Sequence, residues 1–199
     1  MGGGARPKDA KRILGQAHKT RVGRWSRKSA GADFVTGKRP FAPVKITIAA
    51  VGRMKPGPER MLLGDYLDRA GQAGRALALG PFTVTEIDER KARDRAAQSA
   101  RLIEAIPPGA VAVALDERGK TLSSPDFAGM LASLRDQGAG AAVFLIGGAD
   151  GHDKALRARA DRLLSFGPMV WPHMLARVML AEQLYRAVSI LAGSPYHRA

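Results

Sequence analysis

Residues 141–151 read AAVFLIGGADG: six consecutive apolar residues, Ala141–Ile146, and then a polar turn holding Gly147, Gly148 and Gly151. The run is too short for a buried helix and has no polar alternation, as expected of a strand covered on both faces in a parallel sheet. Ala110–Leu115, AVAVAL, repeats the pattern and leaves its carboxyl end through Asp116-Glu117-Arg118-Gly119-Lys120. Between the two lies a helix, with Ser124 as cap and Pro125 at its first position. Its apolar face is Phe127, Met130, Leu131 and Leu134, and Gly138 and Gly140 close it. Two such strands joined by a helix have the pattern of a parallel pair, and this strand-helix alternation points to an α/β fold with a mainly parallel sheet and flanking helices.

Upstream, KITIAAV at Lys45–Val51 reads as the first strand, and a helix follows from Pro58 to about Ala70. Phe82–Ile87 alternates polar and apolar residues and reads as an edge strand. Arg90–Ile106 reads as a helix stopped by Pro107-Pro108-Gly109. Downstream, the spacing predicts a helix from about His152 to Leu164, then a loop punctuated by Ser165, Gly167 and Pro168. Met169-Val170-Trp171 is apolar and β-prone, which makes five strand candidates alternating with helices. The longest periodic pattern starts at Pro172 and runs through Met174, Leu175, Val178, Leu184, Tyr185, Val188 and Leu191, to be ended by Gly193 and Pro195.

Of the formal charge of +14, residues 1–44 carry +9, with eleven Lys/Arg against Asp9 and Asp33. That segment has few large apolar residues and is expected to be a disordered basic extension preceding one domain at residues 45–199. A nucleic-acid-binding arm, an organelle-targeting leader and upstream sequence from a misplaced start all fit it. No apolar run reaches the ~20 residues that span a bilayer, and no secretory signal is evident, so a cytoplasmic protein is expected. The chain has no cysteine and four scattered histidines, which excludes disulfides, thiolate chemistry and the common zinc motifs; no metal is expected. The strong basic excess points to polyanionic partners.

The loops after Leu115, after Ile146 and around Phe166–Trp171 should meet at the carboxyl edge of neighbouring strands, where open α/β sheets bind ligands. GGADG matches neither the phosphate-binding Walker loop nor the dinucleotide fingerprint, and a plain tight turn accounts for its glycines as well as ligand approach does. On the last helix His173 and Arg177 lie one turn apart beside the loop, facing any anionic ligand admitted there or simply forming a solvated face. Glu182 and Arg186 form a second pair of structural kind.

The strings KITIAAVG, VALDERGK, FLIGGADG and above all LSFGPMVWPHMLARVMLAEQLYRAVSILAGSPYHR, over about Lys45 to Arg198, resemble the RlmH family of SPOUT methyltransferases. These methylate N3 of a pseudouridine in 23S ribosomal RNA with S-adenosylmethionine. The extension at residues 1–44 and the trailing Ala199 depart from the family pattern. The resemblance implies a carboxyl-terminal trefoil knot and a homodimer packed through the last helix, with Met174, Val178 and Leu184 as interface candidates. It implies cofactor contacts at Leu115, Gly147, Phe166, Gly167, Pro168, Met169, Val170 and Trp171. His173, Arg177, Tyr196, His197 and Arg198 are the groups available to handle the N3 proton and the RNA; Tyr196–Arg198 is expected to project as a tail. A non-catalytic RNA-binding or ribosome-associated protein with a vestigial pocket is the rival reading, and an α/β enzyme on a small anionic substrate a third.

Overall fold

The computed structural model describes residues 42–197, apart from the side chain of His197. The expected extension therefore lies outside the described residues except for Ala42–Val44, and Val44 already belongs to the first strand. The elements follow in the order β1 (Val44–Val51), α1 (Pro58–Gly74), β2 (Leu79–Ile87), α2 (Arg95–Glu104), β3 (Val111–Thr121), α3 (Ser124–Asp136), β4 (Ala141–Ile146), α4 (Lys154–Arg159), β5 (Arg162–Ser165) and α5 (His173–Leu191).

The five strands form one sheet in the order β2-β1-β4-β3-β5, and every neighbouring pair is parallel. β2 is at an edge, as its alternating pattern predicts. Along β1, Ile46, Ile48 and Ala50 join a core shared with α1, α3 and α5, while Ala49 and Val51 face the core shared with α2 and α4. β4 divides the same way, with Ala142, Phe144 and Ile146 on the first face and Val143 and Leu145 on the second. Both faces being covered explains why these strands read as unbroken apolar runs. Across the first face α5 packs on α1 and α3, and its Leu180, Leu184 and Val188 are fully buried. Each such side chain stabilises the fold by roughly 1.5–3 kcal/mol. Leu184 thus belongs to the core of a single chain and not to a dimer surface; Met174 and Val178 are half-buried against that core.

Several boundaries differ from expectation; β2 starts three residues early, at Leu79, and α5 starts at His173 with Pro172 as its cap. α2 starts at Arg95 because the Asp94 carboxylate caps it, accepting the Ala97 N–H at 2.7 Å, while Glu89–Lys91 forms a separate 3-10 turn. The cap of α3 is Ser123, not Ser124. α4 ends at Arg159, and the fifth strand is Arg162–Ser165, not Met169–Trp171. Asp161 sets that register: its carboxylate accepts the Ala112 N–H at 2.8 Å and its own N–H donates to the Ala112 carbonyl at 2.9 Å, bringing the chain alongside β3. Finally, β3 does not stop at Leu115. Leu115 and Lys120 both lie opposite Leu164, so residues 116–119 loop out of the ladder before pairing resumes.

Gly119 closes that excursion at a tight backbone crossing, where a Cβ would fall 2.5 Å from the carbonyl carbon of Leu164 and 2.6 Å from its nitrogen. Any side chain here would push β5 away from β3. No helix among the described residues is long and apolar enough to cross a membrane.

Candidate functional site

The excursion of β3 at residues 116–119 and the loops after β4 and β5 enclose a cleft of about 420 Å³ at the carboxyl edge of the sheet. Leu115, Gly147, Phe166, Gly167, Met169, Val170 and Trp171 all line it, with His173 at the start of α5 and Arg95 at the start of α2. Pro168 belongs to the same loop without lining the cleft. Sequence reading therefore brings together seven of its eight cofactor candidates in one place.

The loop after β4 is folded on itself: Gly148 and Gly151 form an antiparallel bridge, and the Gly151 N–H donates to the Gly148 carbonyl at 3.1 Å. A Cβ on Gly147 would stand 2.9 Å from the Gly151 carbonyl carbon and oxygen, too close for real atoms. The missing side chain of Gly147 thus serves the loop's own closure before any ligand arrives, so the tight-turn reading of GGADG holds in this detail. After β5, Gly167 has φ +108°, a conformation other residues adopt only under strain, and nothing stands within 4 Å of its missing Cβ. The Ser165 hydroxyl fixes this turn, accepting the Gly167 N–H and lying 3.1 Å from the Gly167 carbonyl. Beyond it Met169 and Val170 are 67 and 87 % exposed, an apolar patch of the kind that marks a ligand or partner site.

Three charged or titratable side chains stiffen the floor. Asp116, nearly buried, accepts the Arg118 N–H at 3.0 Å and lies 3.7 Å from the Arg157 guanidinium. Arg157 also donates to the His152 carbonyl. His152 is 2 % exposed, and neither ring nitrogen has a well-formed hydrogen bond, although the backbone of Leu145 and Leu115 lies close enough to favour its charged form. Burial lowers its pKa, against the opposing charge of Asp116. Sequence reading missed all three as site members; the signal was present in Asp116 at the carboxyl end of AVAVAL and in the histidine directly after GGADG, while nothing marked Arg157.

His173 is on the cleft wall, and its pKa is lowered, first by partial burial and then by the neighbouring Arg177 charge, with Glu89 opposing. Arg177 does not share that wall. It is fully buried and donates to the carbonyls of Val51 and Gly52, the latter at 2.9 Å, with Glu86 at 3.5 Å. The expectation of an anion-facing His173–Arg177 pair is corrected accordingly: residue 177 turns inward to hold the end of β1.

The carboxyl-terminal tip is also corrected. Gly193, with φ +67°, reverses the chain, and Pro195–His197 forms a 3-10 turn that lays Tyr196 back on α5. Its ring is 4.5 Å from that of Tyr185 and beneath the Arg186 guanidinium, and its hydroxyl donates to Glu182 at 3.3 Å. Desolvation, reinforced by Glu182, pushes its pKa up to about 12. The side chain of His197 and the whole of Arg198 lie outside the described residues. Among the described residues no three His, Asp or Glu groups gather as metal ligands would.

Comparison with known proteins places these features in context. Residues 44–197 match the family model described as "Predicted SPOUT methyltransferase". The ribosomal RNA large subunit methyltransferase H of Dinoroseobacter shibae is 62 % identical over 155 residues, which span 78 % of this chain and 99 % of that protein. The protein of the same name from Roseobacter denitrificans is 61 % identical over 155 residues, with the same two coverages. Among solved structures, a probable methyltransferase from Bordetella pertussis Tohama I shows 19 % identity and a TM-score of 0.42, covering 74 % of this chain and 95 % of that one.

Proposed function

The chain belongs to the SPOUT methyltransferase family, as a member of its RlmH group, and from that premise we propose that it methylates N3 of a pseudouridine in 23S ribosomal RNA, using S-adenosylmethionine, as a cytoplasmic homodimer. The observation that carries the reading is the convergence of the three loops on one cleft with His173 on its wall. The residues fit the cofactor: the cleft sets apolar side chains and glycine backbone beside charged groups such as Asp116 and Arg95, as a ligand with both an apolar and a charged part requires, and it is opened by Gly167 and has the buried imidazole of His152 in its lining. Leu115, Gly147 and the Phe166–Trp171 loop would hold it, Pro168 by shaping that loop. When bound, S-adenosylmethionine supplies a methyl group on a sulfonium that already carries its leaving group.

What remains for the protein is alignment and removal of one proton. Fixing the target nitrogen in line can lower a barrier by about 7–11 kcal/mol. The N3 imide is protonated at neutral pH, and His173, whose lowered pKa keeps it neutral there, has a free lone pair for that proton. Arg177 acts indirectly, by holding the end of β1 against α5. Tyr196, His197 and Arg198 would serve the RNA after the tip leaves its resting place on α5, in keeping with stacking of a base on the ring and phosphate contact by Arg198. The trefoil knot belongs to the same reading; support for it is the crossing at Gly119 and the insertion of β4 between β1 and β3.

Calorimetric titration with S-adenosylmethionine, together with mass spectrometry of nucleosides from ribosomes incubated with enzyme and cofactor, tests the proposal. Cofactor binding and a methyl group on N3 of one pseudouridine are expected. RNA binding without cofactor binding would favour the rival, a non-catalytic ribosome-associated protein.

A further inference from the structure

We propose that the rim formed by the turns after β1 and β2 is the surface on which the phosphates of the RNA substrate dock, an inference that rests on the ribosomal RNA reading above. Residues 52–60 and 88–95 hold seven Lys/Arg against four carboxylates, so these 17 positions carry +3 of the +5 found over residues 45–199. The rim thus holds more than half of the domain's net charge, enough to attract a polyanion at close range.

The two turns form one surface. β1 and β2 are paired to their ends, and the Gly52 N–H donates to the Ile87 carbonyl at 2.8 Å. Asp88 bridges them, 3.6 Å from Arg53 and 3.0 Å from Arg90, and those two cations hold its carboxyl down at about 2. One carboxylate shared between two exposed guanidiniums leaves net positive charge. Asp94 is likewise committed, to the cap of α2. The side chains of Lys55, Lys91 and Arg93, by contrast, are exposed and have no partner among the described residues. Arg60 pins the first turn by donating to the Met54 carbonyl at 2.9 Å, and Arg177 buttresses it from below.

The rim adjoins the cleft at two points. Arg95 lines the cleft itself, and a Cβ on Gly52 would fall 3.8 Å from the His173 imidazole. Phosphates held along the rim would therefore deliver a base to the wall that carries His173. Within the two turns the large apolar side chain, Met54, is buried, and the exposed Met61 and Leu62 belong to α1 beyond them, so the turns themselves present cations and not the apolar insertion a lipid surface uses.

The triple variant Lys55→Gln, Lys91→Gln, Arg93→Gln separates this surface from the chemistry, because none of the three lines the cleft or supports the fold. Binding to purified ribosomes should weaken on the order of ten- to hundredfold near 0.1 M salt, with the slope of log K against log salt shallower by about two units. S-adenosylmethionine affinity should stay at the wild-type value, and methyl transfer should show a raised KM for ribosomes with kcat nearly unchanged. Equal affinity and slope in wild type and variant, with methylating wild-type enzyme, overturn the rim while leaving the methyltransferase reading intact. A wild-type protein that neither binds nor methylates ribosomes overturns that reading and the rim with it. Loss of binding to phosphatidylserine vesicles with ribosome binding unaltered would assign the rim to a membrane and overturn the proposal.

Discussion

Arg177 reaches from the second turn of α5 to the end of β1, where its guanidinium donates to the Gly52 carbonyl at 2.9 Å and to the Val51 carbonyl beside it. Glu86 at the end of β2 completes the contact at 3.5 Å, and the same carboxylate accepts the Met54 N–H at 2.8 Å. One side chain thereby ties the last helix to the carboxyl ends of two strands, at the edge where the cleft and the basic rim meet. One terminal nitrogen, Nη2, donates to both carbonyls while Nη1 faces Glu86, a division of partners that a single ammonium would reproduce less well.

Replacing Arg177 by Met should therefore act on stability first. Two buried carbonyls lose their donor and Glu86 its countercharge, a change expected to cost about 2–5 kcal/mol in urea unfolding. Arg177→Lys should fall between that variant and the wild type. An Arg177→Met protein with wild-type stability and no turnover would instead return this residue to the chemistry.

The loop after β4 offers a sharper contrast. Gly147→Ala puts a methyl group against the Gly151 backbone, so the loop must move; affinity for S-adenosylmethionine should drop at least about tenfold, with a small loss of Tm, because one ordered turn is the unit disturbed. Gly148→Ala meets only the tip of the Gln98 side chain, which can swing away, and should be milder in both measurements. Calorimetry and thermal scans on the two variants check this, and equal damage from both would mean that Gly147 is not special.

The sheet was legible in the sequence because its inner strands are buried on both faces: AVAVAL and AAVFLI are short unbroken apolar runs, and Pro125 and Gly138 bound a helix between them. β5 was not, since RLLS has four residues and continues the helical spacing of α4; its register depends on Asp161 meeting Ala112, a contact 49 positions apart in the chain. The cleft loops were legible from glycines at strand ends. The inward turn of Arg177 was not, because spacing places it on a helix face without saying that the ends of β1 and β2 lie there. Tyr196 misled for a similar reason: a polar tip after Gly193 and Pro195 reads as a tail until Tyr185 and Arg186 are seen to receive it.

That resting place makes Tyr196 testable by spectroscopy. Its phenol should ionise late, at about 12, in an absorbance titration, and the late step should vanish in Tyr196→Phe. Because the folded-state pKa is raised, the phenol's contribution to stability is fully present below the unfolded value of 10 and is lost as pH rises through the folded value. Tyr196→Phe keeps the ring on Tyr185 and should change stability at neutral pH by about 1 kcal/mol or less. Removing residues 196–199 should leave cofactor binding intact while methylation of ribosomes falls by orders of magnitude. Normal turnover by the truncated enzyme would confine Tyr196 to the role of a packed end.

His152 predicts how the whole domain responds to acid. Its pKa is lowered by burial, so the unfolded chain takes up a proton more readily than the folded one, and folding loses stability as pH falls below the unfolded value of 6.5 toward the folded one. Above that value the contribution is complete. His173 is shifted in the same direction and adds its own share, so the wild-type slope reports both. His152→Gln removes one titrating group while keeping a neutral amide donor near the Leu115 and Leu145 carbonyls. Tm measured from pH 7.5 to 5.5 should therefore fall less steeply in this variant than in the wild type, with Asp116 and Arg157, the charges that face the ring, unchanged in both. An identical pH slope would mean that the imidazole reaches solvent and protonates freely, and the floor of the cleft would then be looser than its packing implies.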